Sequence, residues 1–427
     1  MIDIRTRAKA PWIVRTVAYA LLCSCFLVVA CEEQEFVDPN GPSLSQTTVQ
    51  TLVTGIEAGM RLDFEFYVRS LSVIGREAYY LEPSDPRYSG ELLGKNGSLL
   101  DPSGFLLVRS WGSRYRVIRN CNYLLAKGDK GASAFAKTII AYQFLLNLNM
   151  TDDNSIRLDV AGPTPGPFVS KAAAYAEIIR LLDEANTDLG AVGTAFSFTL
   201  SEGFAGFNTP STFRKFNRAL RARVAIYNGD FSGALTALSG SFVDDAGTMS
   251  LGAYHIYGTG LADVLNPIFE VPTASSIKLF AHPQFRDSAE AGDTRVTSKT
   301  IVRSGTTTLD GLTSGIGVTV AGGNTAPNPI IRKEELLLIR AEANIGLGNL
   351  GAAQTDINSV RGAAVLSNVT LTAGNAVTEL LKQRRYSLFL EGHRWVDVRR
   401  YNRLNTLPID RAGDLVHSKF PRPSTEI

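Results

Sequence analysis

The side chains best suited to hold a metal ion lie in a short run near the C-terminus. Glu391, His393 and Asp397 fall within it, and residues four apart, such as His393 and Asp397, share one face of a helix. Imidazole and carboxylate groups are common metal ligands. The run is also crowded with arginines at positions 384, 385, 394, 399 and 400. Carboxylates among so many guanidinium groups are typical of ion pairs, so we predict a structural role and no metal site.

A glycine-rich segment offers a second possible site. Gly346, Gly348 and Gly351 match the G-x-G-x-x-G spacing of dinucleotide-binding proteins. That motif needs a strand before it, so that the turn brings a pyrophosphate to a helix N-terminus, and an acidic residue about 20 positions later. Residues 334–345 have a helical pattern instead, and the nearest acid after Asp356 is Glu379. We predict a turn between two helices and no cofactor.

Other catalytic arrangements are missing. The H-E-x-x-H, G-x-S-x-G and Walker A spacings do not occur, and the histidines at 255, 282 and 417 are scattered. Cys121 stands between Ile118 and Leu125, which is typical of a small core residue and not of a nucleophile. Carboxylate pairs that cleave glycosides are defined by distance in space, so the sequence leaves that reaction open. We predict no catalytic residue.

The composition is that of a folded protein without a nucleic-acid role. The chain has 427 residues, with 43 Lys plus Arg against 41 Asp plus Glu. Binding to nucleic acid depends on a concentrated excess of cations, which no stretch supplies. The length is sufficient for a large core.

Helical periodicity dominates the elements that must position any site. Helices are predicted over residues 49–77, 111–125, 133–147, 171–187, 211–228, 231–238, 331–346, 350–363 and 377–391. Residues 79–110 are rich in Pro and Gly and are predicted to form a long loop. Thr, Ser, Gly and Val alternate in 241–285 and 295–329, which predicts short strands.

Two helical segments repeat the same spacing of small residues. In the segments starting at Ala222 and Ala341, an Ala, a Gly, an apolar residue and an Ala recur at offsets 0, 7, 9 and 12. In a tetratricopeptide-type hairpin the first Ala lies where the helices approach, and the Gly ends the first helix. The repeat predicts helical hairpins.

The first thirty residues have the pattern of a signal peptide. Arg5, Arg7, Lys9 and Arg15 precede an uncharged apolar run over 17–30. The run has 14 residues, which is shorter than the about 20 that a transmembrane helix needs. We therefore expect residues 1–30 to be removed, which would leave 39 basic against 40 acidic residues.

The run ends in Leu27-Val-Val-Ala-Cys31, which resembles a bacterial lipobox. We expect Cys31 to be lipidated, because several acyl chains anchor a protein that no helix fixes in the membrane. Residues 31–48 are acidic at first, then polar and turn-rich, as expected of a flexible tether. A cleaved secreted protein, with Cys31 incidental, is the alternative.

The C-terminal run resembles the closing signature of the SusD/RagB family, which consists of surface lipoproteins that bind nutrients. The matching run is Arg384-Arg385 through Phe-Leu-Glu-Gly-His-Arg-Trp-Val-Asp-Val-Arg-Arg400. Residues 111–122, 331–343, 358–361 and 420–427 also resemble segments of that family. The resemblance extends over residues 49–427.

The resemblance implies a mostly α fold: one large ligand-binding domain, residues 49–427, of tetratricopeptide-like hairpins with long loops and a few short strands. It implies an outer-membrane lipoprotein, lipid-anchored and facing the cell exterior. It also implies a SusC-like TonB-dependent barrel as partner, to which the protein delivers a glycan or another nutrient. The signature residues are structural in that family, so they are not expected to form the site.

Sugars present apolar C–H faces to aromatic rings and hydroxyl groups to polar side chains, so a glycan site needs aromatic residues on loops. Tyrosines meet this condition, because the tryptophans lie in the signal or in helices. The candidate ligand-binding residues are Tyr79, Tyr80, Asp85, Arg87, Tyr88 and Asn96 in the first long loop, and Tyr254, His255 and Tyr257 in the second. For each of them, packing of a loop onto helices is the alternative role.

Three functions remain open at this point. The first is a non-catalytic, lipid-anchored nutrient-binding protein. The second is a periplasmic helical-repeat scaffold for protein partners. The third is a glycan hydrolase.

Overall fold

The computed structural model describes residues 46–162, 164–261 and 263–426. The predicted signal peptide, Cys31 and residues 31–45 of the predicted tether lie outside the described residues. Residues Thr48–Ile427 form one compact unit.

Helices form most of the described chain, as the sequence predicts. They are α1 (Val49–Arg61), α2 (Phe64–Ile74), α3 (Phe105–Leu125), α4 (Lys130–Thr151), α5 (Lys171–Gly190), α6 (Pro210–Tyr227), α7 (Phe231–Ser239), α8 (Gln284–Asp287), α9 (Thr294–Lys299), α10 (Lys333–Gly346), α11 (Leu350–Ala363), α12 (Ala376–Ser387) and α13 (Arg394–Arg400). A membrane-crossing helix, by length and apolar character, does not occur among them.

Two helical hairpins confirm the predicted repeat. Gly229 between α6 and α7, and Gly348 between α10 and α11, have φ values of 75° and 78°, which glycine adopts without strain. The four alanines of the repeat, at positions 222, 234, 341 and 353, are fully buried. The hairpins pack on each other at Gly346, where an added Cβ would lie 2.3 Å from the Phe231 ring. The fold is therefore built of tetratricopeptide-like hairpins.

The core centres on α4, which packs against α3 on one side and α5 on the other. Nearly all of its side chains are buried, including polar ones such as Gln143 and Asn147. Cys121 of α3 is also fully buried, and its burial raises the pKa of the thiol. The predicted core role of Cys121 is confirmed.

The predicted helix over residues 49–77 is interrupted. Asp63 has a φ of 55°, and it separates α1 from α2. Tertiary contacts stabilise the break. The Asp63 carboxylate accepts a hydrogen bond from Ser113 at 2.6 Å and forms an ion pair with Arg109 at 2.8 Å. Arg114 donates to the carbonyl of Met60 at 2.8 Å. These partners are more than forty residues away, so local periodicity did not reveal the break.

Six short strands form two antiparallel sheets in the described chain. The strands are β1 (Ala78–Tyr80), β2 (Gly252–His255), β3 (Leu279–Ala281), β4 (Thr300–Leu309), β5 (Leu312–Val318) and β6 (Asn328–Arg332). One sheet has the order β1-β3-β5-β4, and β2 pairs with β6 in the other. The prediction that Tyr79, Tyr80, Tyr254 and His255 lie on loops is wrong, because all four lie in strands, where hydrogen bonds to β3 and β6 fix their backbone.

Residues 411–424, which we call the closing strap, bind the first long loop. Gly97 N donates to the carbonyl of Gly413 at 3.1 Å, and Leu415 N donates to the carbonyl of Gly94 at 3.0 Å. Further along, Ser424 N donates to the carbonyl of Pro102 at 2.9 Å. The last part of the chain therefore fixes the loop between β1 and α3.

Candidate functional site

Four aromatic rings and three arginines form a connected surface where α2, β1, the first long loop and the start of α3 meet. We call this surface the aromatic platform. Its members are Phe66, Arg69, Tyr80, Arg87, Tyr88, Phe105 and Arg109.

The rings follow one another at contact distance. Ring centroids are 4.5 Å apart for Tyr80 and Tyr88, 5.6 Å for Tyr88 and Phe105, and 5.5 Å for Phe105 and Phe66. Tyr80 and Phe105 are half-buried, whereas Tyr88 and Phe66 are buried beside them. Burial raises the pKa values of the Tyr80 and Tyr88 hydroxyls, which therefore stay neutral at physiological pH.

Each of the two helices carries one arginine and one ring on the same face, and each arginine lies over a ring of a neighbouring element. Phe66 and Arg69 are three residues apart on α2, and Phe105 and Arg109 are four apart on α3, so each pair shares a helix face. The guanidinium of Arg69 lies 4.0 Å from the centroid of Tyr80, and that of Arg109 lies 4.5 Å from the centroid of Phe66. Such cation–π contacts hold the rings in place.

Two of the three platform arginines are neutralised by carboxylates. Arg87 donates two hydrogen bonds to Asp85, at 2.9 and 2.8 Å, which lowers the pKa of that carboxyl group. The backbone N–H of Arg87 also donates to Asp85, which closes a tight turn. Arg109 pairs with Asp63 at 2.8 Å.

Arg69 is the exception. Within the described chain no carboxylate lies within 4.0 Å of its guanidinium, which donates only long hydrogen bonds, at 3.4 Å to the hydroxyl of Tyr88 and 3.3 Å to the carbonyl of Pro267. Several of its donors therefore remain available at the edge of the Tyr80 ring.

A cavity of about 330 Å³ lies on another side of α2 from the platform. Phe64, Val68 and Ile268 form apolar parts of its wall, and Tyr254 also lines it. Its polar end holds the buried charges of Lys299, Arg332, Glu334 and Glu391. Residue 267 touches the platform while residue 268 lines the cavity, so the same segment borders both features.

Three of the four charges at the polar end of this cavity form ion pairs with one another, and the fourth, Lys299, bonds to backbone carbonyls. Arg332 donates to Glu391 at 2.7 Å and also pairs with Glu334. Lys299 donates to the carbonyl of Tyr386 at 2.8 Å, and burial lowers the pKa of its amine to about 8. These contacts are typical of a charge cluster that stabilises the fold.

Comparison with known proteins shows which folds this chain resembles. Residues 292–421 match the SusD family. A search of curated protein sequences finds no match. Among solved structures, a SusD-like carbohydrate-binding protein from Bacteroides vulgatus is similar, with a TM-score of 0.63, 16% identity and 83% of each chain covered.

Two further structures have equivalent folds. A laminarin-binding SusD-like protein has a TM-score of 0.62 and 19% identity over 88% of this chain and 96% of that one. Surface glycan-binding protein A from Bacteroides thetaiotaomicron, solved with laminarihexaose, has a TM-score of 0.66 and 14% identity over the same shares. Residues 292–421 therefore match the SusD family, and the described chain has a SusD-like fold.

The C-terminal run of residues 384–400 forms ion pairs, as predicted. Asp397 accepts hydrogen bonds from Arg384 at 2.7 Å and from Arg400 at 2.9 Å. Arg400 also pairs with Glu342 of α10. No group of three or more potential metal ligands occurs among the residues that the structure describes.

Of the candidate ligand residues, the platform brings Tyr80, Tyr88, Asp85 and Arg87 together. Asn96 lies apart from them, exposed, with a φ of 51° and close to Gly413 of the closing strap. In the second set, Tyr254 borders the cavity instead of joining the platform.

Three other candidates are packing residues. Tyr79 is buried against the His282 ring at 4.9 Å. His255 is buried against Phe64 at 4.5 Å, and burial lowers its pKa to about 3. The buried hydroxyl of Tyr257 accepts a hydrogen bond from Asn328 at 3.0 Å. These three rings offer no free face to a sugar.

Four platform residues were not among the candidates: Phe66, Arg69, Phe105 and Arg109. Phe66 and Arg69 lie in the predicted helix over 49–77, and Phe105 and Arg109 lie in the segment predicted to be a loop, where only tyrosines were predicted to stack on a sugar. The spacing of an aromatic residue and an arginine by three or four positions, present in both helices, was a usable signal.

Proposed function

We propose that this SusD-like protein is a non-catalytic, cell-surface protein that binds a neutral oligosaccharide on the aromatic platform. The observation that carries the proposal is Arg69, a guanidinium without a carboxylate partner among the described residues, held over the half-buried ring of Tyr80. A pyranose ring stacks its C–H groups on an aromatic ring, while its hydroxyl groups accept hydrogen bonds from nearby N–H groups.

The charges of the platform support a neutral ligand. Arg87 and Arg109 are each paired with a carboxylate, and Lys278 nearby is paired with Glu82. A sugar that carries several negative charges needs several unpaired cations, whereas the platform offers Arg69 alone within the described chain. A neutral sugar requires only hydrogen-bond donors and an apolar surface.

The similar structures also support an oligosaccharide as the ligand. One is described as laminarin-binding, and another was solved with laminarihexaose. Their identity to this chain is below 20%, so they support a class of ligand and not a particular oligosaccharide.

Replacing Tyr80 by alanine should weaken oligosaccharide binding about tenfold, because the stacking surface is lost and Arg69 loses its support; that change equals about 1.4 kcal/mol. A panel of neutral oligosaccharides that includes laminarihexaose identifies a ligand of the wild-type protein. Isothermal titration calorimetry then compares wild type with Tyr80→Ala and Arg69→Ala.

Tyr123→Ala is the matched control, because Tyr123 is a half-buried tyrosine at the far end of α3 from Phe105. It should bind like wild type. Tyr254→Ala tests the cavity: loss of binding there, with Tyr80→Ala unchanged, would refute the platform. Release of reducing ends from any ligand would refute the non-catalytic role.

We also propose that Cys31 carries the lipid anchor and that the ligand passes to a SusC-like TonB-dependent barrel of the outer membrane. The lipobox-like residues before Cys31 and the match of residues 292–421 to the SusD family support both parts.

Cys31→Ala should remove the protein from the membrane fraction and abolish labelling by a fatty-acid precursor. Pull-down of tagged wild-type protein from detergent-solubilised membranes should recover an outer-membrane barrel protein. Absence of fatty-acid labelling in the wild-type protein would contradict the lipid anchor. Repeated absence of a barrel protein from the pull-down would favour the alternative function, a periplasmic scaffold for protein partners.

A further inference from the structure

A basic groove, distant in sequence from the platform, lies between α5, α6 and α7. Its volume is about 730 Å³. Arg214, Arg218 and Arg221 line it at positions i, i+4 and i+7 of α6, so they share one helix face. Lys215 also lines the groove, and its ammonium is paired with Asp245 at 2.6 Å. This basic groove plays no part in the function proposed above.

The carboxylates of the groove are too few for its guanidinium groups. Asp183 accepts a hydrogen bond from Arg218 at 2.7 Å, and the same carboxylate is the nearest for Arg221, at 3.4 Å. Asp230 lies 3.8 Å from Arg221. Across the described residues no carboxylate lies within 4.0 Å of Arg214, whose Nε donates to the side-chain oxygen of Asn186 at 2.7 Å.

Two further observations show that the positive charge is incompletely compensated. The Nη1 atom of Arg221 is buried and has no hydrogen-bond partner in the described chain. The pKa of Arg218 is lowered, chiefly by burial and further by the charges of Arg221 and Arg214, despite the opposing effect of Asp183. Three crowded cations and an unused donor are the features that an anion would stabilise.

The groove also contains hydroxyl groups. Ser232 and Thr236 of α7 and Ser211 at the start of α6 line it. Its apolar residues are few, with Ala237 as an example. A polar, cationic groove of this kind offers little to an apolar ligand.

We propose that the basic groove binds a phosphate or sulfate group carried on a small molecule. A tetrahedral oxyanion accepts several N–H bonds at once, and guanidinium groups match it in bidentate geometry. Arg214 supplies unused donors at the surface of the groove, and Arg218 and Arg221 supply additional charge. The groove has room for more than the oxyanion, so a sugar ester is a fitting carrier.

The test uses the full mature protein at low ionic strength, where exposed charges are least screened. Isothermal titration calorimetry is run with glucose 6-phosphate, glucose 6-sulfate, inorganic phosphate and glucose. We expect the anions to bind and glucose to give no signal at this groove. Arg214→Ala should weaken anion binding five- to tenfold, and because Arg214 is exposed the variant should fold normally.

Arg180→Ala is the matched control. Arg180 is exposed on α5 and is held by Glu177 and Glu184, so its removal should change anion binding less than twofold. Tighter binding of the esters than of inorganic phosphate would identify a sugar ester as the ligand, and equal binding would identify the free oxyanion.

Three results would overturn the proposal: absence of anion binding up to about 10 mM, unchanged binding by Arg214→Ala, or an equal loss in Arg180→Ala. Tyr80→Ala should leave anion binding intact. Failure of the platform and failure of the groove are therefore distinguishable.

Discussion

Replacing Glu335 by alanine should lower the free energy of unfolding by about 3–5 kcal/mol, because it leaves the charge of Arg223 buried without its partner. Both side chains are buried, and two hydrogen bonds of 2.6 Å join them. Arg223 lies on α6 and Glu335 on α10, so the pair connects the two hairpins. Chemical denaturation followed by circular dichroism measures the change.

The matched control for this pair is Glu177→Ala. Glu177 forms an exposed ion pair with Arg180 on α5, so its loss should change stability by less than about 0.5 kcal/mol. The double variant Arg223→Met with Glu335→Leu should recover much of the stability lost in Glu335→Ala, since no buried charge remains unpaired. If Glu335→Ala changed the free energy of unfolding as little as Glu177→Ala, this result would contradict the structural role of the Arg223–Glu335 pair.

Glu77→Gln should stabilise the protein at alkaline pH and change little at pH 5. Glu77 is 1% exposed, and neither of its carboxylate oxygens has a hydrogen-bond partner in the part of the chain that the structure describes. Burial raises its pKa to about 8, partly opposed by the charge of Arg394. The folded protein therefore holds a proton that the unfolded chain releases near its ordinary pKa of 4.5.

The direction in which stability changes with pH follows from this difference between the folded and the unfolded pKa of Glu77. The contribution of a group with a raised pKa is fully present below the unfolded value and is lost as the pH rises through the folded value. Glutamine keeps the neutral form at every pH, so the variant should gain about 2–4 kcal/mol over wild type at pH 9. Denaturation at pH 5 and pH 9 measures the gain.

Glu82→Gln is the control for Glu77→Gln. Pairing with Lys278 lowers the pKa of the Glu82 carboxyl group to about 2, so this variant should show no alkaline gain. A constant difference between Glu77→Gln and wild type from pH 5 to pH 9 would show that Glu77 is charged throughout.

The helical hairpins could be predicted because their signals are local. Helix α11 has the predicted bounds of 350–363, and the glycines of both hairpins lie at the predicted turns. The break at Asp63 could not be predicted in the same way. Its carboxylate is held by Ser113 and Arg109, which come close to it only in the folded protein.

The platform was predictable in part for the same reason. Asp85, Arg87 and Tyr88 are neighbours in the chain, so a turn was sufficient to bring them together. Arg69 reaches Tyr80 only through the packing of α2 beside β1. Tyr79 is buried whereas its neighbour Tyr80 is half-buried, because side chains alternate between the two faces of a strand.

The closing strap has a consequence for the order of events during synthesis. The loop that carries Arg87 and Tyr88 gains its hydrogen bonds to Gly413 and Leu415 only after the ribosome has made the closing strap, more than three hundred residues later. Contacts across more than three hundred residues form slowly, since a large loop must close first. A nascent chain that lacks the closing strap therefore cannot complete this loop, so the proposed ligand surface matures late.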